Sequence, residues 1–207
     1  KRIHAEVHKK YFELSKTEKR PYTIDFTKGY ISIYDSYFKK YAKETGWDWR
    51  LMAAQAYAES RFDSTAVSWA GARGIMQIMP ATARAYGLTT RIAHIDDNIR
   101  VASQILKKLD NSLSKYVEDP HERLKFVIGA YNSGIGHIYD AIELAKKYGK
   151  NPQIWDGNVA EAVLMKTKPE YYNDPVCKYG YFRGSQTYDY VNDVMEFYNK
   201  SKRHIPL

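Results

Sequence analysis

The stretch AAQAYAESRFDSTAVSWAGARGIMQIMPATA, residues 53–83, decides the reading of this sequence. It opens as an alanine-rich helix and ends that helix on a carboxylate, Glu59, beside Ser60. A loop bracketed by Gly71 and Gly74 follows, then an apolar run interrupted by Gln77. Asp48 is a good N-cap for the helix, which is expected to run to about Ser60. On it Met52, Gln55, Ala56 and Glu59 share a face, while Leu51, Ala54 and Ala58 form an adjoining stripe expected to face the core. Glu59 is therefore expected at the border of a packed face and at the C-terminal end of its helix. The negative pole of the helix and partial burial both favour the protonated acid there. A carboxylic acid held protonated near neutrality can serve as a general acid. By pattern alone, a solvated glutamate at a fraying helix end is the commoner arrangement.

The residues that follow shift the balance. Gly71 and Gly74 let a backbone come close to a ligand. Gln77 offers both a donor and an acceptor. Far downstream, AYNSG at 130–134 places Tyr131 and Asn132 at the end of another helix. Asp63 falls past the helix end and reads as a turn or cap residue.

The rest of the chain reads as helix after helix. Residues 31–44 carry a 3.6-period stripe of Ile33, Tyr37 and Tyr41 with Tyr34 and Phe38 beside it. Pro80 opens a short helix that Gly87 closes. Asp96 or Asp97 is expected to cap the next, with Ile99, Ala102, Leu106 and Leu109 on one face. Asp119-Pro120 starts another, with Leu124, Val127, Ile128 and Tyr131 at i, i+3, i+4 and i+7. Ile135, Ile138, Ile142 and Ala145 mark its partner, and Val191, Val194, Met195 and Tyr198 mark the last. Alternating strand patterns are nearly absent, which predicts an all-α domain from roughly residue 29 to 200. Residues 1–28 break the pattern and read as an arm or linker remnant. The chain has no initiator Met, starts polar and basic, and reads as a piece of a longer protein.

Composition narrows the function. The 207 residues are 44% hydrophobic, enough for a sizeable core, and no stretch approaches the ~20 apolar residues of a membrane span. A single cysteine, Cys177, excludes an internal disulfide and a thiolate metal site. His4 and His8 stand at i, i+4 in the arm and read as solvated. His94, His121 and His137 have no ligand spacing, so neither metal nor cofactor is expected. The net charge of +8 fits either a basic soluble surface or attraction to a polyanion such as nucleic acid, an anionic membrane or an acidic wall polymer; the Lys and Arg residues are scattered and no nucleic-acid motif is present. Nineteen tyrosines and four tryptophans offer aromatic faces suited to sugar rings.

Four blocks occur in a telling order: ES at 59–60, GARGIMQIMPATA at 71–83, AYNSGIGHI at 130–138 and YDYVNDV at 188–194. Together they resemble the catalytic domain of lytic murein transglycosylases, related to goose-type lysozyme. The C-terminal pattern YYNDPVCKYGYFRGSQTYDYV is most similar to a membrane-bound subfamily that carries a solute-binding-like domain ahead of the catalytic one. The resemblance implies a lysozyme-like helical domain over residues 29–207 with a cleft between helices, and an arm at 1–28 left by the preceding domain. It implies cleavage of the β-1,4 bond between N-acetylmuramic acid and N-acetylglucosamine, with 1,6-anhydro products. Glu59 matches the catalytic acid/base. Ser60, Ser68, Met76, Gln77, Tyr131, Asn132 and Tyr190 match substrate-side positions. Ile75 stands where the family has Leu. The family's Glu-Thr is Gln186-Thr187 here, which leaves a contact from Gln186 open.

The implied partner is the peptidoglycan glycan strand, met by a monomer in the periplasm. Outer-membrane association would come only through parts outside this chain. Trp47 and Trp49 read as core, whereas Trp69, in the loop itself, is a candidate to touch glycan. A hydrolase on the same scaffold and a non-catalytic wall-binding module are the alternatives. The intact Glu59, Gln77, Tyr131 and Asn132 speak against the second.

Overall fold

The computed structural model describes residues 24–207. His4, His8 and most of the arm lie outside the described residues. The chain divides into two compact units, one running to Ser103 and including Lys200–Leu207, the other Gln104–Asn199.

In the first unit, α1 (Asp35–Thr45) packs on α2 (Trp49–Ser60). The stripe at 31–44 suggests an earlier start for α1. Instead the Asp35 carboxylate accepts hydrogen bonds from the Ile31 and Ser32 amides, both at 2.8 Å, and folds residues 31–34 into a turn ahead of the helix. Asp48 caps α2 as expected, accepting from the Arg50 amide at 2.9 Å. Arg50 also forks onto that carboxylate and donates to the Ile205 carbonyl at 2.6 Å, tying the cap to the end of the chain. The helix is buried on every side from Trp49 to Ala56, Gln55 included, and not along one stripe; Ala58 is only half-buried. Alanines at 53, 54 and 56 allow close approach by neighbours all round.

A short α3 (Pro80–Ala85) and the long α4 (Ile95–Leu113) follow, the latter running on into the second unit. Neither Asp96 nor Asp97 caps α4. The first helical bond, from the Asn98 amide to the His94 carbonyl at 2.8 Å, starts the helix ahead of them. Both acids fall in the first turn, where they face the positive helix pole.

In the second unit, α5 (Pro120–Ser133) and α6 (Ile135–Lys147) pack together, and α6 packs on α7 (Ala160–Met165). A kinked turn at Trp155–Val159 leads into α7 and buries the Trp155 ring edge-on to Phe126 at 5.2 Å. A single turn, α8 (Pro169–Tyr172), and the long α9 (Gly184–His204) complete the chain, α9 ending in residues of the first unit. Among the described residues, extended pairing is limited to two isolated bridges, Val67 with Arg73 and Arg73 with Ile78.

Candidate active site

Glu59 is the penultimate residue of α2 and is half-buried. The chain beyond it is forced into an unusual path. Arg61 and Phe62 both adopt left-handed backbone, φ 54° and 63°, which bulky residues hold only when their surroundings compel it. The compulsion is visible. The Arg61 amide donates to the Tyr57 carbonyl at 2.9 Å, and its guanidinium lies 4.3 Å from the Tyr57 ring centre. Phe62 is buried against Tyr57 and Phe38. Ser60 completes the brace. Its hydroxyl donates to the Ile75 carbonyl at 2.8 Å and it is 2% exposed. Ser60 is thus a staple between α2 and the Gln77 loop, not the sugar contact that its neighbourhood suggested.

That loop is built around Gln77. Paired bonds between Arg73 and Ile78, both 3.0 Å, close a turn over residues 74–77. Gln77 has φ 48°, again left-handed. Its Nε2 donates to the Gly74 carbonyl at 2.8 Å and to the Ala66 carbonyl at 3.2 Å. Both amide protons are therefore committed, and Oε1 is the part of the group left to accept from a ligand. Met76, expected to line the site, is fully buried and donates its amide to Asn98 Oδ1 at 2.8 Å.

Gly74 serves a different purpose from ligand approach. At φ 81° its backbone suits glycine, and a Cβ there would stand 2.6 Å from Asn98 Nδ2. The empty space is filled by the protein's own asparagine. Asn98, fully buried, holds the loop from below, donating to the Arg73 and Ile92 carbonyls at 3.0 and 2.7 Å while accepting from Met76. No motif marks it; it lies within a helix whose apolar face draws the eye elsewhere.

At the tip of the neighbouring turn, Ser68 bonds its amide to the Ala72 carbonyl at 2.9 Å and accepts the Ala72 amide on Oγ at 3.0 Å. Its hydroxyl proton remains to be donated. Trp69 is 76% exposed beside it. Asp63, as expected, is a turn residue: Oδ1 accepts from the Thr65 amide at 2.8 Å and the Thr65 hydroxyl at 2.7 Å.

The second unit holds Tyr131, Asn132 and Tyr190. Tyr131 is half-buried, Asn132 exposed and Tyr190 buried on α9. Asn132 is oriented by a residue to which the sequence assigned no contact. Thr187, buried on the first turns of α9, donates its hydroxyl to Asn132 Oδ1 at 2.8 Å. The Asn132 oxygen is thereby committed and its amino group turned to present two donors. Gln186 is half-buried, and its backbone amide donates to the Arg183 carbonyl at 3.0 Å. At this pair the bond to Asn132 comes from Thr187, which stands where the family has the Thr of its Glu-Thr.

Thr187→Val keeps the shape and removes the donor. We expect kcat/KM to fall about tenfold, the worth of one hydrogen bond of ~1.4 kcal/mol, with the thermal midpoint lowered by no more than ~4 °C. Thr187→Ser should restore activity. Wild-type kinetics in Thr187→Val would remove the residue from any positioning role.

Cys177 is half-buried, and burial pushes its thiol up to about 11, so it is an inert thiol. Among the described residues, no group of three or more His, Cys, Asp or Glu side chains is arranged to hold a metal ion.

Residues 36–154 match the Transglycosylase SLT domain family. The chain is 33% identical over 193 residues to a membrane-bound lytic murein transglycosylase F from Desulfosudis oleivorans, covering 93% of this chain and 40% of that protein. It is 38% identical over 163 residues to a protein of the same name from Klebsiella pneumoniae, covering 77% of this chain and 30% of that one. The chain thus spans well under half the length of these relatives. Among solved structures it is similar to the 70 kDa soluble lytic transglycosylase from Escherichia coli, with TM-score 0.54 and 20% identity over 82% of this chain and 24% of that one. An inactive mutant of the lytic transglycosylase Slt from Pseudomonas aeruginosa gives TM-score 0.53 and 21% identity, over 83% of this chain and 24% of that one. At such identities the structural likeness speaks for the fold, an all-α lysozyme-like one.

Proposed function

The chain belongs to the Transglycosylase SLT domain family, and from that premise we propose that it is a peptidoglycan lytic transglycosylase with Glu59 as its acid and base. Residues 29–207 form the catalytic part in this reading, acting as a monomer on murein in the periplasm. Among the described residues no helix is long and apolar enough to cross a membrane.

Glu59 protonates the oxygen that links muramyl C1 to the next sugar, and that C–O bond breaks. The carboxylate so formed takes the proton of the muramyl 6-hydroxyl as that hydroxyl bonds to C1. Water takes no part, and Glu59 ends the cycle protonated. Gln77 Oε1 accepts from an acetamido N–H or a sugar hydroxyl, Ser68 donates its hydroxyl proton, and the Asn132 amino group donates to the strand. Tyr131 flanks Asn132, and Tyr190 supports the same side from α9.

One observation carries this reading over that of a hydrolase. Ordinary glycosidases need a second carboxylate to activate water or attack the sugar. In the block around Glu59 the other carboxylate, Asp63, is engaged by Thr65 in its own turn. The test is the mass of the products. Digestion of purified murein should release muropeptides one water lighter than those of a lysozyme, with no new reducing ends. Reducing ends from active protein would turn the enzyme into a hydrolase.

A further inference from the structure

The second unit carries a run of tyrosines that the chemistry at Glu59 does not use. Tyr179, Tyr181 and Tyr148 are 54%, 56% and 45% exposed. Tyr172 meets Tyr181 edge-on with ring centres 5.5 Å apart, and Tyr171 meets Tyr148 in the same manner at 5.4 Å. Tyr171 and Tyr172 are consecutive on α8, so that one turn anchors both pairs, and Tyr181 lies two residues beyond Tyr179; these five tyrosines are referred to as the ribbon. Its near end, Tyr179, lies beside the α5–α6 junction just past Asn132. Tyr179 packs so closely on Gly136, four residues past Asn132, that a Cβ there would stand 2.5 Å from the ring.

The ribbon is held from beneath by buried charge. Lys166 and Asp140 are both buried and bond at 2.5 Å. Asp140 also accepts the backbone amides of Lys178 and Tyr179, at 2.8 and 2.9 Å. Lys166 approaches His137 Nδ1 at 3.2 Å and lies 5.1 Å from the Phe182 ring centre. His137 stacks on Phe182 at 4.5 Å, and its pKa is lowered by burial first and then by the Lys166 charge. An isolated buried ion pair is weak evidence of stability, because desolvation offsets its attraction. Here the pair fixes a particular backbone path. Phe182 turns inward and is buried, while Tyr179 and Tyr181, just ahead of it in the chain, are exposed.

We propose that this ribbon is a binding surface for further sugar rings of the glycan strand, continuing away from Asn132. The proposal rests on the transglycosylase reading above. Tyrosine faces suit the C–H faces of pyranose rings, and their edge hydroxyls suit sugar hydroxyls. Exposed Lys178, next to Tyr179 in the chain, complements the lactyl carboxylates of a strand stripped of peptide. Rigid support is what a recognition surface requires.

The test compares stem-free muroglycan strands of two lengths, long chains and a tetrasaccharide. In a Tyr148→Ser/Tyr181→Ser variant the ratio of kcat/KM on long over short chains should fall about tenfold. Tyr148→Phe/Tyr181→Phe, which keeps the ring faces, should recover most of it. An unchanged ratio would overturn the proposal, as would an equal fall on both lengths. A loss seen only with peptide-bearing strands would overturn it too, giving the ribbon to the peptide stem. Affinity of the Glu59→Gln chain for the same stem-free strands, with and without the tyrosine changes, reads the ribbon without turnover. An inactive wild type would therefore remove the catalytic reading and leave this arm to decide the ribbon.

Discussion

Glu59→Gln is expected to leave a folded chain that binds glycan and turns it over at least a hundredfold more slowly than wild type. General acid–base work is typically worth ~10²–10⁴-fold in rate, and one residue supplies both halves here. Glutamine preserves size and most hydrogen bonding but can neither give up a proton nor receive one. The fold should persist because the path of the chain at this point is set by other groups. The Ser60 hydroxyl on the Ile75 carbonyl, the Arg61 amide on the Tyr57 carbonyl and the buried Phe62 ring hold the helix end. Release of soluble muropeptides from purified sacculi gives the rate, and circular dichroism with a thermal scan gives the fold. Turnover within tenfold of wild type would place the acid elsewhere. Asp63 would then be the next candidate, although Thr65 already engages it. Loss of the folded state would instead assign Glu59 a structural part.

Periodicity and caps made most of the fold legible. Asp48 and Asp119 cap the helices expected of them, and Pro80 and Pro120 open theirs. The apolar positions Val127, Ile128, Ile138, Ile142 and Val194 are buried. The stretch from 148 to 183 was not legible, because its elements are a kinked turn and two helices of six and four residues, too short for a period to declare itself. At the candidate site, residues that carry chemistry stand in recognisable blocks, whereas those that hold them do not. Ser60 and Met76 sit within the blocks and prove to be buried supports. Asn98 and Thr187 orient the loop and Asn132 from helices whose patterns advertise only packing. A hydrogen bond between positions 55 residues apart, as between Thr187 and Asn132, leaves no trace in local sequence.

Asn98 should be the most sensitive of these supports, and its relation to Gly74 can be measured. Asn98→Ala removes three hydrogen bonds; the Arg73 carbonyl keeps the Ile78 amide, while the Met76 amide and the Ile92 carbonyl lose the Asn98 side chain. The buried Met76 amide costs ~1–3 kcal/mol when left unpaired and the two part-buried bonds ~0.5–1.5 kcal/mol each, so a loss of several kcal/mol is expected from a fold of ~5–15 kcal/mol. The thermal midpoint should fall by ~10 °C or more, at ~2–4 °C per kcal/mol for a chain of this size. Gly74→Ala in the native background meets two penalties, a left-handed backbone at φ 81° and a Cβ 2.6 Å from the Asn98 amide. With Asn98 already cut to Ala, the collision vanishes and only the backbone penalty of ~1–2 kcal/mol remains. The second change should therefore cost less in the Asn98→Ala background than alone, a coupling that a double-mutant cycle in urea reads directly. Strict additivity would mean that the loop shifts to admit the methyl group, and that Asn98 does not clamp it. Coupling of the predicted sign, with murein turnover falling in step in each single variant, would show that the Gln77 loop works in the shape Asn98 imposes on it.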